Sequence, residues 1–382
     1  MSNLCDVGVD PRCWYPACRT DELRPGQAIE VRFLGRSYVV FRDRAGAAHC
    51  LDNACAHRRV ALHEGEVRDC RIVCPYHGWE FGPDGALERI PYWEEDEELP
   101  RLRVRGFPVT ERSGLVWFVP EPVDPLPPPP PDTSAWDDGG EWFSFRQDRV
   151  FHNHYGIGLI NGMDYTHFHL HRKYQPWSRL RLLGLTADDG RVSGSYEVTS
   201  GRGRAERVLR LLLGADRAAP TVSHPLEVHY DYPHHQAVLG DGMVVWVFFR
   251  PEERDRVTVY ITLYIRARRG TRRLRQVAEP FFRRLVLARI QEQDAWIGVR
   301  EQVAWESRPD EPRCELNPVS AAAERLLRAR WQSYARQAGP PAGRWPAARL
   351  PGPDRRTASL GVEPASLGAE PASLGAGPDE NA

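Results

Sequence analysis

Two cysteine–histidine pairs have the most specific spacing in the sequence. The first is Cys55-x-His57, and the second, after sixteen intervening residues, is Cys74-x-x-His77. Two such pairs on two loops can hold a [2Fe–2S] cluster, with two thiolates on one iron and two imidazoles on the other. Because neutral imidazoles raise the reduction potential of such a cluster, the pattern predicts an electron-transfer centre.

A structural zinc site is the alternative, because zinc also binds two cysteines and two histidines. Zinc fingers usually place both cysteines on one arm and both histidines on the other, whereas each arm here is mixed. The run from Pro75 to Trp79 also favours the iron–sulfur interpretation. The other cysteines have no recognisable metal spacing and are expected to be structural: Cys5, Cys13, Cys18, Cys50, Cys70 and Cys314.

A second set of metal-binding residue types lies further along the chain. If this segment is helical, Asp164, His167 and His171 share one face, whereas His169 points to the opposite side. Two histidines and a carboxylate bind Fe(II) on one face of its octahedron and leave positions for dioxygen. We therefore expect His167 and His171 to bind iron, with His169 as the alternative to His171. Surface histidines without a metal are the other interpretation.

Asp294, in a long predicted helix, is a second carboxylate that could bind a metal. On that helix Asp294 shares a face with Leu287, Ile290 and Ile297. A carboxylate on an apolar face is costly unless it is paired or bound to metal. No arginine stands three or four residues away on either side, so a cross-helix ion pair is the remaining alternative.

Four regions must position these residues. Strand-like runs separated by turns predict a β-rich domain over residues 1–121. A proline-rich linker over 122–136 separates it from a mixed domain over 137–336. Residues 337–382 repeat Ala-Ser-Leu-Gly with glycine and proline between the repeats, and are expected to form a disordered tail.

Individual elements can also be predicted. The first domain should contain a hairpin that turns at residues 34–36 and a strand over 114–119. The second should contain strands over 243–249 and 257–265, a long helix over about 280–305, and a last helix over about 320–335.

Composition limits the function classes. The 382 residues carry a net charge of −1, which offers no whole-chain attraction for nucleic acid or an anionic membrane. Hydrophobic residues make up 41% of the chain, an ordinary value for a globular protein. The first residues lack a basic start and an apolar run, so no signal peptide is apparent and a cytoplasmic location is expected.

Residues from about Trp14 to Pro122 resemble a Rieske domain, whose cluster ligands map onto Cys55, His57, Cys74 and His77. The chain from about 14 to 336 resembles the α (terminal oxygenase) subunits of Rieske non-haem iron aromatic-ring-hydroxylating oxygenases. The resemblance implies an α+β fold with an N-terminal all-β Rieske [2Fe–2S] domain. A C-terminal helix-grip domain would follow, in which an antiparallel sheet curls around a long helix. Family position also supports Asp294 as an iron ligand.

The resemblance further implies a head-to-tail homotrimer. In it, Asp164 would connect His77 of one chain to His167 of the next, and Asn161 would support the same network. The sequence holds no flavin or nicotinamide fingerprint, so NAD(P)H would act only through a separate flavin reductase or a ferredoxin with its reductase.

The predicted function is reductive activation of O₂ at a mononuclear Fe(II), followed by oxidation of an apolar or aromatic small molecule. Hydroxylation, demethylation, desaturation and cyclisation all fit, and a role in specialised metabolism would suit a lone α-type subunit. Two alternatives are a Rieske electron-transfer protein with a non-catalytic binding domain and a zinc-stabilised binding protein. Four aromatic residues are pocket candidates, although each could equally be core: Phe168, Trp177, Tyr230 and Trp246.

Overall fold

The computed structural model describes residues 3–94, 97–137, 141–174, 177–200, 222–266, 280–309 and 311–338. Every element given below belongs to the compact unit Met1–Trp345. The predicted tail with its Ala-Ser-Leu-Gly repeats lies outside the described residues. No helix within the described ranges combines the length and the apolar character needed to cross a bilayer.

The N-terminal part is built from short antiparallel strands. They form three sheets, with orders β1-β11-β10, β2-β3-β4-β9 and β5-β6-β7-β8. Their bounds are β1 (Tyr15–Arg19), β2 (Ala28–Phe33), β3 (Arg36–Arg42), β4 (Ala48–Asp52), β5 (Glu66–Arg68), β6 (Arg71–Val73), β7 (Glu80–Phe81), β8 (Leu87–Arg89), β9 (Gly106–Phe107), β10 (Val109–Arg112) and β11 (Leu115–Phe118).

The predicted hairpin is present, with Leu34 and Gly35 at its turn between β2 and β3. Both residues have positive φ, 47° and 74°, the backbone twist that suits a two-residue hairpin turn. Their backbone N–H groups donate to the carbonyls of Pro251 and Glu252. The hairpin is thereby tied to the C-terminal part of the chain.

Within the described residues, the C-terminal part contains a seven-stranded antiparallel sheet and three α-helices. The strand order is β12-β18-β17-β16-β15-β14-β13, so the consecutive strands β12 and β13 lie at opposite edges. The bounds are β12 (Trp142–Phe151), β13 (Trp177–Ala187), β14 (Arg191–Ser200), β15 (Val222–Asp231), β16 (His234–Leu239), β17 (Met243–Glu253), β18 (Arg256–Arg266), α1 (Tyr155–Met163), α2 (Ala288–Ser307) and α3 (Pro318–Ala338). The predicted fold class is confirmed.

The central strand β17 shows how the sheet separates two apolar layers. Successive side chains of a strand point to opposite faces. Val244, Trp246 and Phe248 belong to the apolar cluster that contains Trp117 of β11. The alternate residues Val245, Val247 and Phe249 line a cavity on the other face. One strand therefore serves both the junction with the N-terminal sheets and the wall of the cavity.

The helix assumed for the histidine segment needs correction. The histidine segment is not one continuous helix: α1 ends at Met163 and a separate 3₁₀ turn covers Tyr165–His169. Asp164 causes the break, because its extended backbone and its side chain cap the second turn at Thr166. The long helix predicted over about 280–305 is confirmed: it runs from 280 to 307, carries Asp294 and includes a π-helical turn at Arg283–Leu287.

Candidate iron centres

The two cysteine–histidine loops have matching backbone hydrogen bonds. In the first loop the Cys55 carbonyl accepts from Arg59 N, and in the second the Cys74 carbonyl accepts from Gly78 N. Arg59 and Gly78 both have positive φ, 60° and 69°, which closes each loop tightly. At Gly78 a Cβ would approach Pro91 Cγ to 2.9 Å, so glycine suits this position on two counts.

The loops bury the thiols and leave the imidazoles near the surface. Cys55 and Cys74 are 2% and 3% exposed, whereas His57 is exposed and His77 half-buried. Burial, together with hydrogen bonding to Cys74, raises the pKa of the Cys55 thiol to about 11. A metal that stabilises the thiolates offsets this effect, so the donor set fits an iron–sulfur cluster.

Aromatic packing fixes the imidazoles. The His57 ring stacks on Trp79, with centroids 4.7 Å apart and planes 8° apart, and lies 4.6 Å from the His77 ring. Within the described residues, these four ligands do not form a group whose donor atoms all lie within 4.8 Å. A single tetrahedral zinc needs such a compact group, whereas a two-iron cluster spans a wider one.

His167, His171 and Asp294 form the compact group that the cluster ligands do not. Their donor atoms all lie within 4.8 Å of one another. Asp294 Oδ1 lies 3.1 Å from His171 Nε2 and 3.6 Å from His167 Nε2. The two rings are nearly perpendicular, at 72°, with centroids 5.0 Å apart. The 3₁₀ turn and the residues after it bring the histidines to α2, on which Asp294 stands.

The electrostatics of this group suit a cation. Asp294 Oδ1 and His167 Nδ1 are buried and have no hydrogen-bond partner in the described part of the chain. Burial lowers the pKa of His167 despite the nearby carboxylate. Burial also opposes protonation of His171, but Asp294 outweighs it and raises the pKa of that ring. Two histidines and one carboxylate around a common point are the donors that non-haem Fe(II) prefers.

The remaining predicted residues lie around this group. His169 is exposed, with Nε2 3.3 Å from an Arg172 nitrogen, and lies outside the group, whereas His171 lies within it. The Asp164 carboxylate accepts from Thr166 and is likewise outside the group. Asn161 stands in the last turn of α1 and lines the adjacent cavity.

A cavity of about 420 Å³ opens beside the three residues, between the sheet and the helices α1 and α2. Cavities of this size hold small molecules. Its wall is mostly aliphatic and aromatic, and its few polar side chains include Gln147, Lys173 and His235. Of the four aromatic candidates, Phe168 and Trp177 line the cavity, whereas Tyr230 and Trp246 are buried core residues that do not line it.

Three residues outside the predicted set contact a proposed iron ligand, the Asp164 carboxylate or the segment before α1. Gln293 Oε1 lies 2.9 Å from His171 Nδ1 and orients that ring. Asn317 donates to the Asp164 carboxylate over 2.9 Å. Gly298 of α2 packs directly against Asn153, which lies between β12 and α1. The sequence carries no signal for the last two, because each contact joins residues that are far apart along the chain.

Comparisons with known proteins agree with this geometry. Residues 13–108 match the Rieske [2Fe-2S] domain family. A 4beta-methylsterol monooxygenase from Methylococcus capsulatus is 30% identical over 353 residues, which cover 90% of this chain and 94% of that protein. The oxygenase component of a 3-ketosteroid-9-alpha-monooxygenase from Rhodococcus rhodochrous is 28% identical over 207 residues, 52% of each chain.

The fold has solved counterparts. Dicamba monooxygenase bound to dicamba superposes with a TM-score of 0.71 at 19% identity, over 87% of this chain and 99% of that one. The terminal oxygenase of carbazole 1,9a-dioxygenase from Nocardioides aromaticivorans gives a TM-score of 0.63 at 18% identity, over 87% and 97%. At this identity the likeness concerns the fold.

The two groups of metal-binding residue types suit a two-centre oxidoreductase, and the relatives define the class and the family. The chain belongs to the Rieske non-haem iron oxygenases, as an α (terminal oxygenase) subunit. Its cofactors are a Rieske [2Fe–2S] cluster and a mononuclear iron, and dioxygen is its co-substrate. Proteins of this kind receive electrons from separate reductase components and oxidise apolar or aromatic small molecules.

Proposed function

We propose that His167, His171 and Asp294 hold the mononuclear iron of this oxygenase. The convergence of both Nε2 atoms on one buried carboxylate oxygen carries the proposal. That oxygen lies at ion-pair distance from both rings but makes no well-aligned hydrogen bond in the described ranges, an arrangement that a shared metal ion would satisfy. Gln293 fixes the His171 ring, and the apolar cavity beside the group excludes water from the reacting face.

We further propose that Cys55 and Cys74 hold one iron of the cluster and that His57 and His77 hold the other. The buried thiols and outward imidazoles support this assignment. Histidines near the surface place that side of the cluster where a redox partner can approach. Trp79, stacked on His57, keeps the ring in place and shields the cluster from water.

The substrate is proposed to be an apolar polycyclic molecule of the sterol or steroid class. Two observations support it: the names of the two relatives that match this chain over 353 and 207 residues, and the largely hydrocarbon wall of a cavity of about 420 Å³. The few polar groups on that wall would orient the substrate rather than neutralise a charge on it.

Assembly, electron supply and location complete the proposal. The working form is a homotrimer in the cytoplasm, in which Asp164 links His77 of one subunit to His167 of the next, with Asn161 in the same network. Electrons come from an external ferredoxin, a flavin reductase or both, and NAD(P)H acts only through them. Light scattering coupled to gel filtration tests the assembly, and a dimer or monomer would contradict it.

Metal analysis of matched variants tests the iron site. Wild-type protein should contain nearly three irons per chain, and Asp294→Asn nearly two, with the Rieske electron paramagnetic resonance signal unchanged in both. Glu292→Gln is the control, because Glu292 lies on the same helix but pairs with Arg289 near the surface. His171→Ala should behave like Asp294→Asn, and His169→Ala like wild type. An Asp294→Asn protein with three irons would contradict the assignment.

The same measurement separates the oxygenase from a Rieske electron carrier with a binding domain. An electron carrier would contain two irons per chain and would consume no dioxygen. Turnover with NADH, a surrogate ferredoxin and its reductase then tests the substrate class. A 4-methylsterol or a 3-ketosteroid should stimulate oxygen uptake with a matching amount of oxidised product. Turnover of a benzoate herbicide but of neither sterol nor steroid would contradict the sterol proposal.

A further inference from the structure

The Asp164 carboxylate is held by the segment that leads into α3. Asn317 Nδ2 donates to Asp164 Oδ1 over 2.9 Å. The same oxygen accepts from the backbone N of Thr166 over 2.9 Å and from its hydroxyl over 2.5 Å. Oδ1 thus receives three donors, whereas no hydrogen bond from the described residues reaches Oδ2.

Asn317 can present only one side of its amide to Asp164. It is 7% exposed, and its Oδ1 accepts from Val319 N over 3.0 Å and from the Tyr196 hydroxyl over 3.1 Å. A backbone N–H can only donate, so the amide oxygen must face Val319 and the amide nitrogen must face Asp164. The orientation is set by hydrogen bonds within one chain, before any partner binds.

We propose that Asn317 is a positioning residue for electron transfer between the two iron centres. It fixes Asp164 through Oδ1 and leaves Oδ2 for the cluster histidine of a neighbouring subunit. This inference rests on the bridging role of Asp164 in the proposed function. Asn317 acts through Asp164, in the way that outer hydrogen-bond partners orient metal-site groups elsewhere. The hydrogen bond between Asn317 and Asp164 thus connects the start of α3 to the proposed bridge between the two iron centres.

Asn317→Asp separates this role from the structural role of the residue. An aspartate has the same shape and still accepts from Val319 and Tyr196, but it has no N–H to donate to Asp164. Asp164→Asn is the comparison variant, because its amide oxygen can still accept from Thr166 and Asn317 while the carboxylate is removed from position 164. Asn317→Ser, which keeps the cap on α3 but is too short to reach Asp164, is the second variant if Asn317→Asp does not fold.

Three measurements on the full-length holoenzyme form the test. The first is the rate of cluster oxidation when reduced protein is mixed with dioxygen and substrate. The second is the iron content, and the third is the thermal midpoint. Asn317→Asp should oxidise its cluster about 10–100-fold more slowly, with unchanged iron content and a lower midpoint. Asp164→Asn, which keeps an acceptor for these donors, should keep a midpoint close to that of wild type and lower the rate.

The outcomes distinguish this inference from the function on which it rests. A wild-type cluster oxidation rate in Asn317→Asp, with a slow rate in Asp164→Asn, overturns the role of Asn317 and leaves the bridge intact. A wild-type rate in Asp164→Asn overturns the bridge itself. Loss of mononuclear iron in Asn317→Asp also overturns the inference, because Asn317 would then act on metal binding.

Discussion

Gly298 sets how closely α2 approaches the junction of β12 and α1. It stands one helical turn after Asp294 and faces the buried side chain of Asn153. A Cβ at this position would lie 1.9 Å from Asn153 Nδ2 and 3.1 Å from its Cγ. Because Cβ contacts shorter than 3.0 Å essentially never occur, Gly298→Ala requires the Asn153 amide or the two elements to shift by about 1.1 Å.

The net effect on stability follows from two opposing contributions. Glycine to alanine in a helix interior gains about 1 kcal/mol, whereas overpacking a filled site costs about 1–3 kcal/mol. Asn153 is 1% exposed and its Cγ would lie 3.1 Å from the new Cβ, so its buried side chain has little room to turn away. We therefore expect Gly298→Ala to destabilise the fold by about 1 kcal/mol. A displacement of about 1 Å near a reacting group can also reduce the rate about 100-fold.

Thermal midpoint, iron content and turnover measure these effects. Gly298→Ala should lower all three, and addition of Asn153→Ala should recover much of the loss by making room for the methyl group. Ala304→Gly on the exposed side of α2 is the matched control: it should cost about 1 kcal/mol through helix propensity and leave iron and turnover unchanged. A more stable Gly298→Ala protein with full iron content would refute the reasoning.

Three further predictions concern pH, the cluster domain and metal binding. Burial lowers the pKa of His154 and His235 to about 3 and of His234 to about 4, so the unfolded chain binds protons below about pH 6.5 that the folded chain does not. Stability should therefore fall from pH 6.5 downward, by up to about 1.4 kcal/mol per pH unit for each histidine, and a flat profile of thermal midpoint would contradict this. Glu80 is fully buried and paired with three arginines, so Glu80→Gln should lower the free energy of unfolding by about 1–3 kcal/mol. The thermal midpoint should fall and the cluster absorbance should be lost faster. Unchanged values of both would contradict this prediction. Fe(II) at a hundred times its dissociation constant should stabilise iron-depleted protein by about 2.7 kcal/mol in calorimetry, and an equal gain in Asp294→Asn would exclude that residue as a ligand.

Local features of the fold could be predicted from the sequence. The hairpin at residues 34–36, the strands around 243–249 and 257–265 and the last helix depend on neighbouring residues, and each occurs close to its predicted bounds. The cluster loops are equally local, since each ligand pair lies within four residues. Short-range patterns are sufficient for these elements because the interactions that stabilise them are themselves short-range.

The surroundings of the iron site could be predicted only in part. The choice of Asp294 depended on the family resemblance as well as on the cost of a carboxylate on an apolar helix face, and its distance to His171 depends on how α2 packs. The helical prediction for residues 164–171 was wrong because Asp164 caps a new turn, a local competition that the i, i+3, i+7 spacing does not reveal. The contact between Asn317 and Asp164 spans 153 residues and leaves no periodic pattern.

The placement of β12 and β13 at opposite edges of the large sheet has a consequence for folding. The segment between them carries α1, His167 and His171, and it must cross seven strands, about 29 Å at the usual strand spacing. The two ends of this segment are fixed only when β12 has paired with β18, the last strand along the chain, and β13 has paired with β14. Pairing at such sequence separation is slow. On refolding, the far-ultraviolet circular dichroism signal of the sheet should therefore recover first. The capacity to bind mononuclear iron should recover later, once both edge strands have paired.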